Sequence, residues 1–318
     1  MQIKKPREKK RKRKFGKDDM QLSLLALPTF IWYILFAFLP MFGIIIAFKK
    51  FTFRPGHNFI SNLLASPWNG FKNFEFFFKS NSAWLITRNT IGYNFVFIIL
   101  GVLIPVTLAI MLSQMNGKKF GKASQTAIFL PYFMSWVVVT YIVGAFLNYD
   151  LGMFNRMIAS NGGKKVQWYM EQKYWPYILI FLNTWKSMGY GMVVYMATIT
   201  GIDSSLYEAA RIDGAGRWQQ VRYITVPLLK TTMIMLFILS VGRIFYSDFG
   251  LFYQVPRGSA SLQNVTETMD VFVYRALSGS VDISLPSAAG FVQSVAGCVT
   301  ILLSNFVVKR FDKESALI

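Results

Sequence analysis

Residues 89–117 read NTIGYNFVFIILGVLIPVTLAIMLSQMNG, and no side chain in this stretch is charged. A helix needs about 20 residues to cross a hydrocarbon core of about 30 Å. The stretch is therefore long enough to span a membrane. Uncharged stretches of similar length occupy residues 20–48, 123–149 and 283–308.

Two further apolar segments each contain charged residues. Residues 177–201 carry Lys186, and residues 231–254 carry Arg243 and Asp248. The chain is 53% hydrophobic and only 15% charged, which indicates a membrane protein. We therefore predict an all-α membrane protein with a basic tail, 1–19, and a transmembrane domain, 20–318. Its six predicted transmembrane helices are 20–48, 89–113, 123–148, 177–201, 231–254 and 284–308.

The net charge of +19 is concentrated where membrane topology explains it. Ten of the 34 Lys and Arg residues precede residue 20, directly before the first predicted span. If both termini are cytoplasmic, twenty basic residues lie in inner segments and twelve in outer loops. Basic residues resist translocation, so this asymmetry predicts that the N- and C-termini are cytoplasmic. We expect the tail to attract anionic membrane lipid and predict no nucleic-acid partner.

A short polar loop, 202–230, separates the fourth and fifth predicted spans on the predicted cytoplasmic side. It contains Glu208-Ala-Ala-Arg-Ile-Asp-Gly-Ala215. Residues 203–211 are good helix formers with capping residues at their start, and Gly214 permits a turn before a second short helix. The small side chains of Ala209, Ala210 and Ala215 permit close approach of a partner. Glu208 is suited to pair with a partner arginine. An ordinary amphipathic inner loop is the alternative.

This loop resembles the docking loop of permease subunits in ATP-driven, binding-protein-dependent (ABC) importers. The match consists of Glu208-Ala-Ala, then Asp213-Gly-Ala, then Pro227, in the family's order and spacing. Val221 stands where a phenylalanine is common, and Lys230 where a second proline is often found. The resemblance implies the type I ABC importer permease fold, with a cytoplasmic coupling-helix loop that grips the ATPase through Glu208, Ala209, Ala210, Asp213, Gly214 and Ala215.

Other motifs resemble the branch of carbohydrate-importer permeases that handles oligosaccharides derived from polysaccharides. They are Trp68–Phe74, Pro131–Val138, Trp185–Gly191, Ser247–Tyr253 and Gln293-Ser294. The resemblance implies a bacterial plasma-membrane protein with a second homologous permease, two ATPase subunits and an external solute-binding protein as partners. ATP and Mg would be used by the ATPase subunits, and no cofactor is expected on this chain.

Three charged residues fall inside predicted spans: Lys186, Arg243 and Asp248. Burying an ion at mid-span costs about 2.5–3.5 kcal/mol, so each is a functional candidate. Counting helical rise from the predicted outer ends places the three at neighbouring depths. We hypothesise that Asp248 pairs with Lys186 or Arg243 beside a polar pathway. The alternative is a structural ion pair that only joins spans four and five.

Sugar sites combine aromatic faces with amide, hydroxyl and charged groups. Candidates for the substrate pathway are therefore Asn183, Trp185, Lys186, Tyr190, Arg243, Asp248 and Gln293. Helix packing is the competing explanation for any single one of them. If Lys186 and Arg243 both face the cavity, an acidic oligosaccharide becomes the favoured substrate.

Two other classes of function were weighed against this assignment. An enzyme is disfavoured, because the nearest phosphate-loop string, residues 116–123, lacks the first glycine and the hydroxyl residue. The single Cys298 and single His57 exclude Cys-cluster and multi-His metal sites, so no metal is expected. A stand-alone ion-coupled carrier or channel is compatible with intramembrane charges, yet it has no need of an ordered Glu-Ala-Ala loop.

Overall fold

The computed structural model describes residues 16–115, 117–279 and 282–311. Most of the predicted basic tail, 1–15, lies outside the described residues. Within them the chain forms helices and turns but no strand, apart from one isolated bridge between Lys49 and Trp68. The all-α prediction is confirmed.

The first predicted span lies in one continuous helical stretch, of which Asp19–Phe48 is apolar and long enough to cross a membrane. It comprises α1 (Lys17–Tyr33), a π-helical turn, α2 (Leu39–Met41) and a 3₁₀ segment, Phe42–Phe48. Most of its side chains are exposed, since only 11% of its most apolar window is buried within the chain. Packing begins at its end, where Ile46 and Ala47 are buried.

A compact cap of short helices follows the first span and leads into the second. Asn73 holds it together, because its side-chain amide donates to the carbonyls of Ala47 at 2.8 Å and Lys49 at 2.9 Å. The short helices are α3 (Phe59–Ala65) and α4 (Glu75–Lys79), and the second span is α5 (Asn81–Ser113). The helix α5 thus begins eight residues before the predicted start at 89.

The centre of the molecule is the contact between α5 and α9 (Trp175–Thr200). Their shared inner core includes Ala109, Met192 and Tyr195. Gly191 allows this approach, since a Cβ there would lie 2.9 Å from the Pro105 ring. Small residues at helix contacts are the usual device for close packing in membranes.

The third predicted span, 123–148, is sharply bent. It consists of α6 (Lys118–Phe129), a 3₁₀ turn over Leu130–Phe133 and α7 (Trp136–Leu147), with an angle of 101° at the break. The 3₁₀ turn contains Pro131, whose ring removes a backbone donor and disfavours a regular helix, and the break lies directly after this turn. The side-chain hydroxyl of Ser135 then caps α7 by accepting the Val138 N–H at 3.3 Å.

The predicted fifth span, 231–254, is wrong at both ends. Its helix starts within the coupling loop at Arg217 and runs without a break into α12 (Val226–Val241), so Pro227 does not separate loop from span. The helix α12 then stops at Val241. Residues 242–248 are irregular, and a π-helical turn, Gly250–Gln254, follows. We call residues 242–248 the broken segment.

The remaining helices complete the two sides of the molecule. They are α8 (Met153–Ser160), α10 (Ser204–Ile212), α11 (Arg217–Gln220), α13 (Gln263–Thr266), α14 (Met269–Gly279) and α15 (Ser284–Phe311). Four described helices are long and apolar enough to cross a membrane, or five if the bent pair is one span. The helix α9 is long enough but contains the polar residues Asn183 and Lys186. The predicted number of six transmembrane helices is therefore obtained only if α9 and the bent pair of α6 and α7 are both counted as spans.

Candidate functional site

The predicted coupling loop is a helix, a turn and a second helix. The Asp203 carboxylate caps α10 by accepting the Ser205 N–H at 2.9 Å, and this bond lowers the pKa of Asp203. The helix α10 ends at Ile212, and Gly214 makes the turn at φ 79°. The Ala215 N–H closes it by donating to the Ala210 carbonyl at 2.8 Å.

The second half of the loop is anchored to the membrane domain. The Gln220 amide donates to the Ala215 carbonyl at 3.0 Å. The hydroxyls of Tyr207 and Thr225 lie 2.9 Å apart, and Thr225 is fully buried. The loop is therefore joined to the residue directly before α12 by a hydrogen bond between side chains.

The coupling residues themselves face outward. Glu208, Ala209, Asp213 and Gly214 are exposed, while Ala210 and Ala215 are half-buried. Two large apolar side chains nearby were missed by sequence reasoning: Ile212 is 87% exposed and Trp218 is 74% exposed. Both were visible in the sequence as isolated apolar residues in a polar loop.

A polar groove of ≈ 540 Å³ lies beside α10. It is lined by Glu208, Arg211 and Arg217 together with the C-terminal ends of α5 and α9. The ends of these two spans and the coupling loop therefore lie on the same side of the molecule. No side chain in the described ranges forms an ion pair with Glu208 within 4 Å.

A second candidate site surrounds Lys186, at the break between α6 and α7. The Lys186 ammonium donates to the Tyr132 carbonyl at 3.0 Å and lies 5.3 Å from the centre of the Trp136 ring. The Trp136 indole N–H donates to the Asp248 carboxylate at 2.6 Å. Tyr190, one turn after Lys186 on α9, stacks on Tyr132 at 5.0 Å. We call these five residues the Lys186 cluster.

The predicted ion pair of Asp248 does not form. Among the described residues, neither Lys186 nor Arg243 lies within 4 Å of its carboxylate. The Trp136 indole lies between the two charges, bonded to one and facing the other. The depth estimate for Arg243 assumed a helix through residues 243–248, which are irregular. Arg243 is exposed in the turn after α12, and no bond of its side chain joins it to the cluster.

The other predicted pathway residues are divided among three places. Asn183 shares the helix face of Lys186 and Tyr190, because residues 183, 186, 187 and 190 repeat at helical spacing. Trp185 faces away from them and lines an apolar groove of ≈ 560 Å³ between α7 and α9. Gln293 is only 4% exposed, and its amide donates to the Phe245 carbonyl at 2.8 Å. Gln293 therefore supports the broken segment.

The broken segment is held by side chains from three distant helices. The Asn94 amide of α5 lies 2.9 Å from the Ile244 carbonyl and 2.7 Å from the Tyr246 carbonyl. The Asp270 carboxylate of α14 accepts the Ser247 N–H at 2.6 Å. Irregular backbone at membrane depth requires such partners, because hydrocarbon offers none. Asp248 is positioned by this network.

Comparisons with known proteins agree with this geometry. Residues 101–313 match the family model described as "Binding-protein-dependent transport system inner membrane component". The chain is 32% identical, over 97% of its length and 94% of the relative's, to the polygalacturonan/rhamnogalacturonan transport system permease protein YteP of Bacillus subtilis (strain 168). It is 31% identical to the protein LplB of the same organism, over 94% of this chain and 91% of that one.

Solved structures give the same answer. A chain of a bacterial ABC transporter involved in the import of the acidic polysaccharide alginate superposes with a TM-score of 0.83 and 29% identity, covering 93% of this chain and 97% of that one. A second structure, of a bacterial alginate ABC transporter in complex with alginate pentasaccharide-bound periplasmic protein, matches with a TM-score of 0.82 and 29% identity over 93% of this chain and 96% of that one.

Proposed function

The chain belongs to the family of binding-protein-dependent transport system inner membrane components, and from this premise we propose that it forms half of an ATP-driven import pathway for an oligosaccharide. The other half is a second, homologous permease in the bacterial plasma membrane. An external binding protein delivers the sugar, and two ATPase subunits supply the energy. Both termini of this chain are cytoplasmic.

The observation that carries this proposal is the exposed, ordered loop from Ser204 to Gln220. Its carboxylate at Glu208 has no described ionic partner, and Ile212 and Trp218 present apolar area beside it. An ATPase subunit fits this surface by pairing a basic side chain with Glu208 and covering the two apolar residues. Closure of the ATPases on ATP then displaces α10, and the bond between Tyr207 and Thr225 passes the displacement to the spans.

The Lys186 cluster is the proposed contact with the sugar in this subunit. Tyr132 and Tyr190 are 41% and 51% exposed, so their rings are available for stacking on a sugar face. Lys186 uses one N–H on the Tyr132 carbonyl and retains two for ligand oxygens. Asp248 and Trp136 fix the wall of the site. The sugars in the names of the relatives and structural neighbours support this substrate class.

Retention of the ATPase tests the coupling surface. Glu208→Arg reverses the charge at its centre, and we expect retention of the ATPase subunit on purified permease to fall about 100-fold, as for the loss of a charge pair across an interface. Glu171→Arg, an equal reversal at an exposed residue of an outer loop, is the matched control. Equal retention by both variants, or unaided transport by this chain alone, favours the ion-coupled carrier instead.

Uptake tests the Lys186 cluster separately. Lys186→Gln removes the charge but keeps a hydrogen-bonding group, so we expect ATPase retention to stay normal while uptake of the oligosaccharide falls about ten-fold. Lys164→Gln, at an exposed lysine between α8 and α9, is the control. A Lys186 variant that transports at the control rate removes the cluster from the pathway.

A further inference from the structure

Arg257 has an unusual backbone. Within residues 16–115, 117–279 and 282–311 it is the one residue other than glycine with a positive φ, at 57°. A non-glycine residue in this region is strained, and such strain persists only where neighbouring contacts enforce it. The Arg257 N–H donates to the Gln254 carbonyl at 2.9 Å, and the Gly258 N–H donates to the Tyr253 carbonyl at 2.9 Å.

A second arginine holds the turn from the other side. The Arg275 guanidinium donates to the Gly258 carbonyl at 3.4 Å and lies 5.6 Å from the centre of the Tyr253 ring. Glu267 lies 3.3 Å from it and neutralises its charge. Arg275 is therefore a structural residue that positions the turn. Arg257 is the exposed residue of that turn.

The side chain of Arg257 packs against α7 at a position where the helix carries a glycine and therefore has no side chain in the way. Its guanidinium lies directly against Gly144 of α7, where any Cβ would collide with Nη2. Its other described neighbour is the Tyr169 ring, with the guanidinium 5.1 Å from the ring centre. No carboxylate of a described residue pairs with it within 4 Å, and the residue is exposed. Arg257 therefore carries a positive charge that no carboxylate of the described residues neutralises.

Arg257 contacts the same helix, α7, that contributes Trp136 to the Lys186 cluster. Trp136, at the start of α7, contacts both Lys186 and Asp248, and Gly144 lies eight residues further along α7. At 1.5 Å per residue, the two levels are roughly 12 Å apart. The segment from Asp248 to Arg257 runs beside α7 over this distance, because Gly250 packs against Trp136 and Arg257 against Gly144. Arg257 therefore lies on the predicted outer side of the cluster.

We propose that Arg257 is a specificity-determining residue that binds a carboxylate of an acidic oligosaccharide entering toward Lys186. This inference rests on the proposed function and names its substrate class, a sugar chain containing uronates. A planar guanidinium binds a carboxylate through two parallel hydrogen bonds, which a neutral hydroxyl cannot match. Two cations at different levels fit carboxylates on different sugars of one chain.

The test compares an oligomer of galacturonate with its methyl ester, in which a methyl group removes the negative charge of each carboxylate. Affinity is measured by equilibrium dialysis on the purified importer complex without the binding protein, so that the binding protein's own selectivity does not enter. Wild type is expected to prefer the acid. Arg257→Gln should weaken binding of the acid about ten-fold and leave the ester unchanged, as for loss of a charge-assisted hydrogen bond.

Two further variants distinguish the role of the Arg257 charge from that of its strained backbone. Gly144→Ala keeps the arginine but displaces its guanidinium, so the same selective loss is expected. Arg257→Gly relieves the backbone strain, so the complex should unfold at the same or a higher temperature while losing its preference for the acid. Arg156→Gln, at an exposed arginine of α8, should change neither affinity.

Several results overturn the inference. Equal losses for acid and ester, no loss for either, or a lower unfolding temperature for Arg257→Gly each make Arg257 a structural residue. Loss of co-purified anionic lipid with unchanged affinity for galacturonate assigns it to a lipid headgroup instead. Equal wild-type binding of acid and ester ends the inference but leaves oligosaccharide transport standing. If wild type binds neither, the inference fails, and ATPase retention by Glu208→Arg still decides the proposed function.

Discussion

The coupling loop and the broken segment are both interruptions between apolar helices, yet they are built in opposite ways. In the coupling loop, residues near one another in sequence make the bonds: Asp203 with Ser205, Ala210 with Ala215. In the broken segment, the partners of residues 244–247 lie on α5, α14 and α15. A loop stabilised by itself can face a partner protein and move as a unit. A segment stabilised by distant helices is fixed in place and shapes a wall.

The largest effect is expected from removal of the Asn94 side-chain amide, which tests whether the broken segment depends on distant helices. Asn94→Leu leaves the Ile244 and Tyr246 carbonyls without their described side-chain partner, at about 1–3 kcal/mol for each buried group. We expect the complex to lose about 4 kcal/mol of stability in thermal unfolding, while the coupling loop still retains the ATPase at low temperature.

The control for this change is Asn161→Leu, because the Asn161 amide bonds only the Met157 carbonyl within its own exposed turn. It should unfold within about 0.5 kcal/mol of wild type. If Asn94→Leu is no less stable than this control, the broken segment does not depend on distant helices and the contrast is lost.

A smaller effect is expected from the turn of the coupling loop. Gly214→Ala places a Cβ at φ 79° with nothing within 4 Å of it, so the cost is backbone strain alone, about 1–2 kcal/mol. We expect ATPase retention to fall about ten-fold. Gly216→Ala, two residues away at φ −68°, has no such strain and should retain the ATPase normally. Equal retention by both variants shows that docking does not require this turn.

The smallest expected effect is a difference in pH dependence between the two sides of the molecule. The capping bond to Ser205 lowers the pKa of Asp203, so its contribution to α10 is present above its ordinary pKa and is lost as the pH falls. Burial raises the pKa of Glu267, near the turn of Arg257, although Arg275 opposes the shift. A raised carboxyl pKa favours the protonated folded form, so stability there is lost as the pH rises through that pKa.

Hydrogen exchange measured by mass spectrometry checks both signs in one experiment. Amides at the start of α10 should exchange faster toward low pH, after correction for intrinsic rates, and those of residues 263–275 faster as the pH rises. Asp203→Asn and Glu267→Gln should each abolish the local pH dependence and leave the other side unchanged. If exchange at the start of α10 and exchange in residues 263–275 change in the same direction with pH, the opposite pKa shifts assigned to Asp203 and Glu267 are contradicted.

Sequence reasoning succeeded where the determining contacts are local. The helix at 203–211 with a cap at its start and the turn at Gly214 both follow from residues within a few positions of each other. It failed for the depth of Arg243, because helical rise was counted through residues 243–248, which are not helical. It also missed Trp136, which separates the two charges, and Arg257, whose cradle at Gly144 lies more than a hundred positions away.

The amino-acid sequence by itself determined the class of this protein, the approximate position of most of its apolar helices and the form of its coupling loop. These depend on side-chain polarity and on hydrogen bonds between residues that are close in sequence, and neither requires the helices to be packed together. Only the tertiary structure decided where α12 ends, which charges meet, and which arginine is presented. The backbone groups freed by a break in a span must find partners on other helices, and those partners exist only once the helices have packed together.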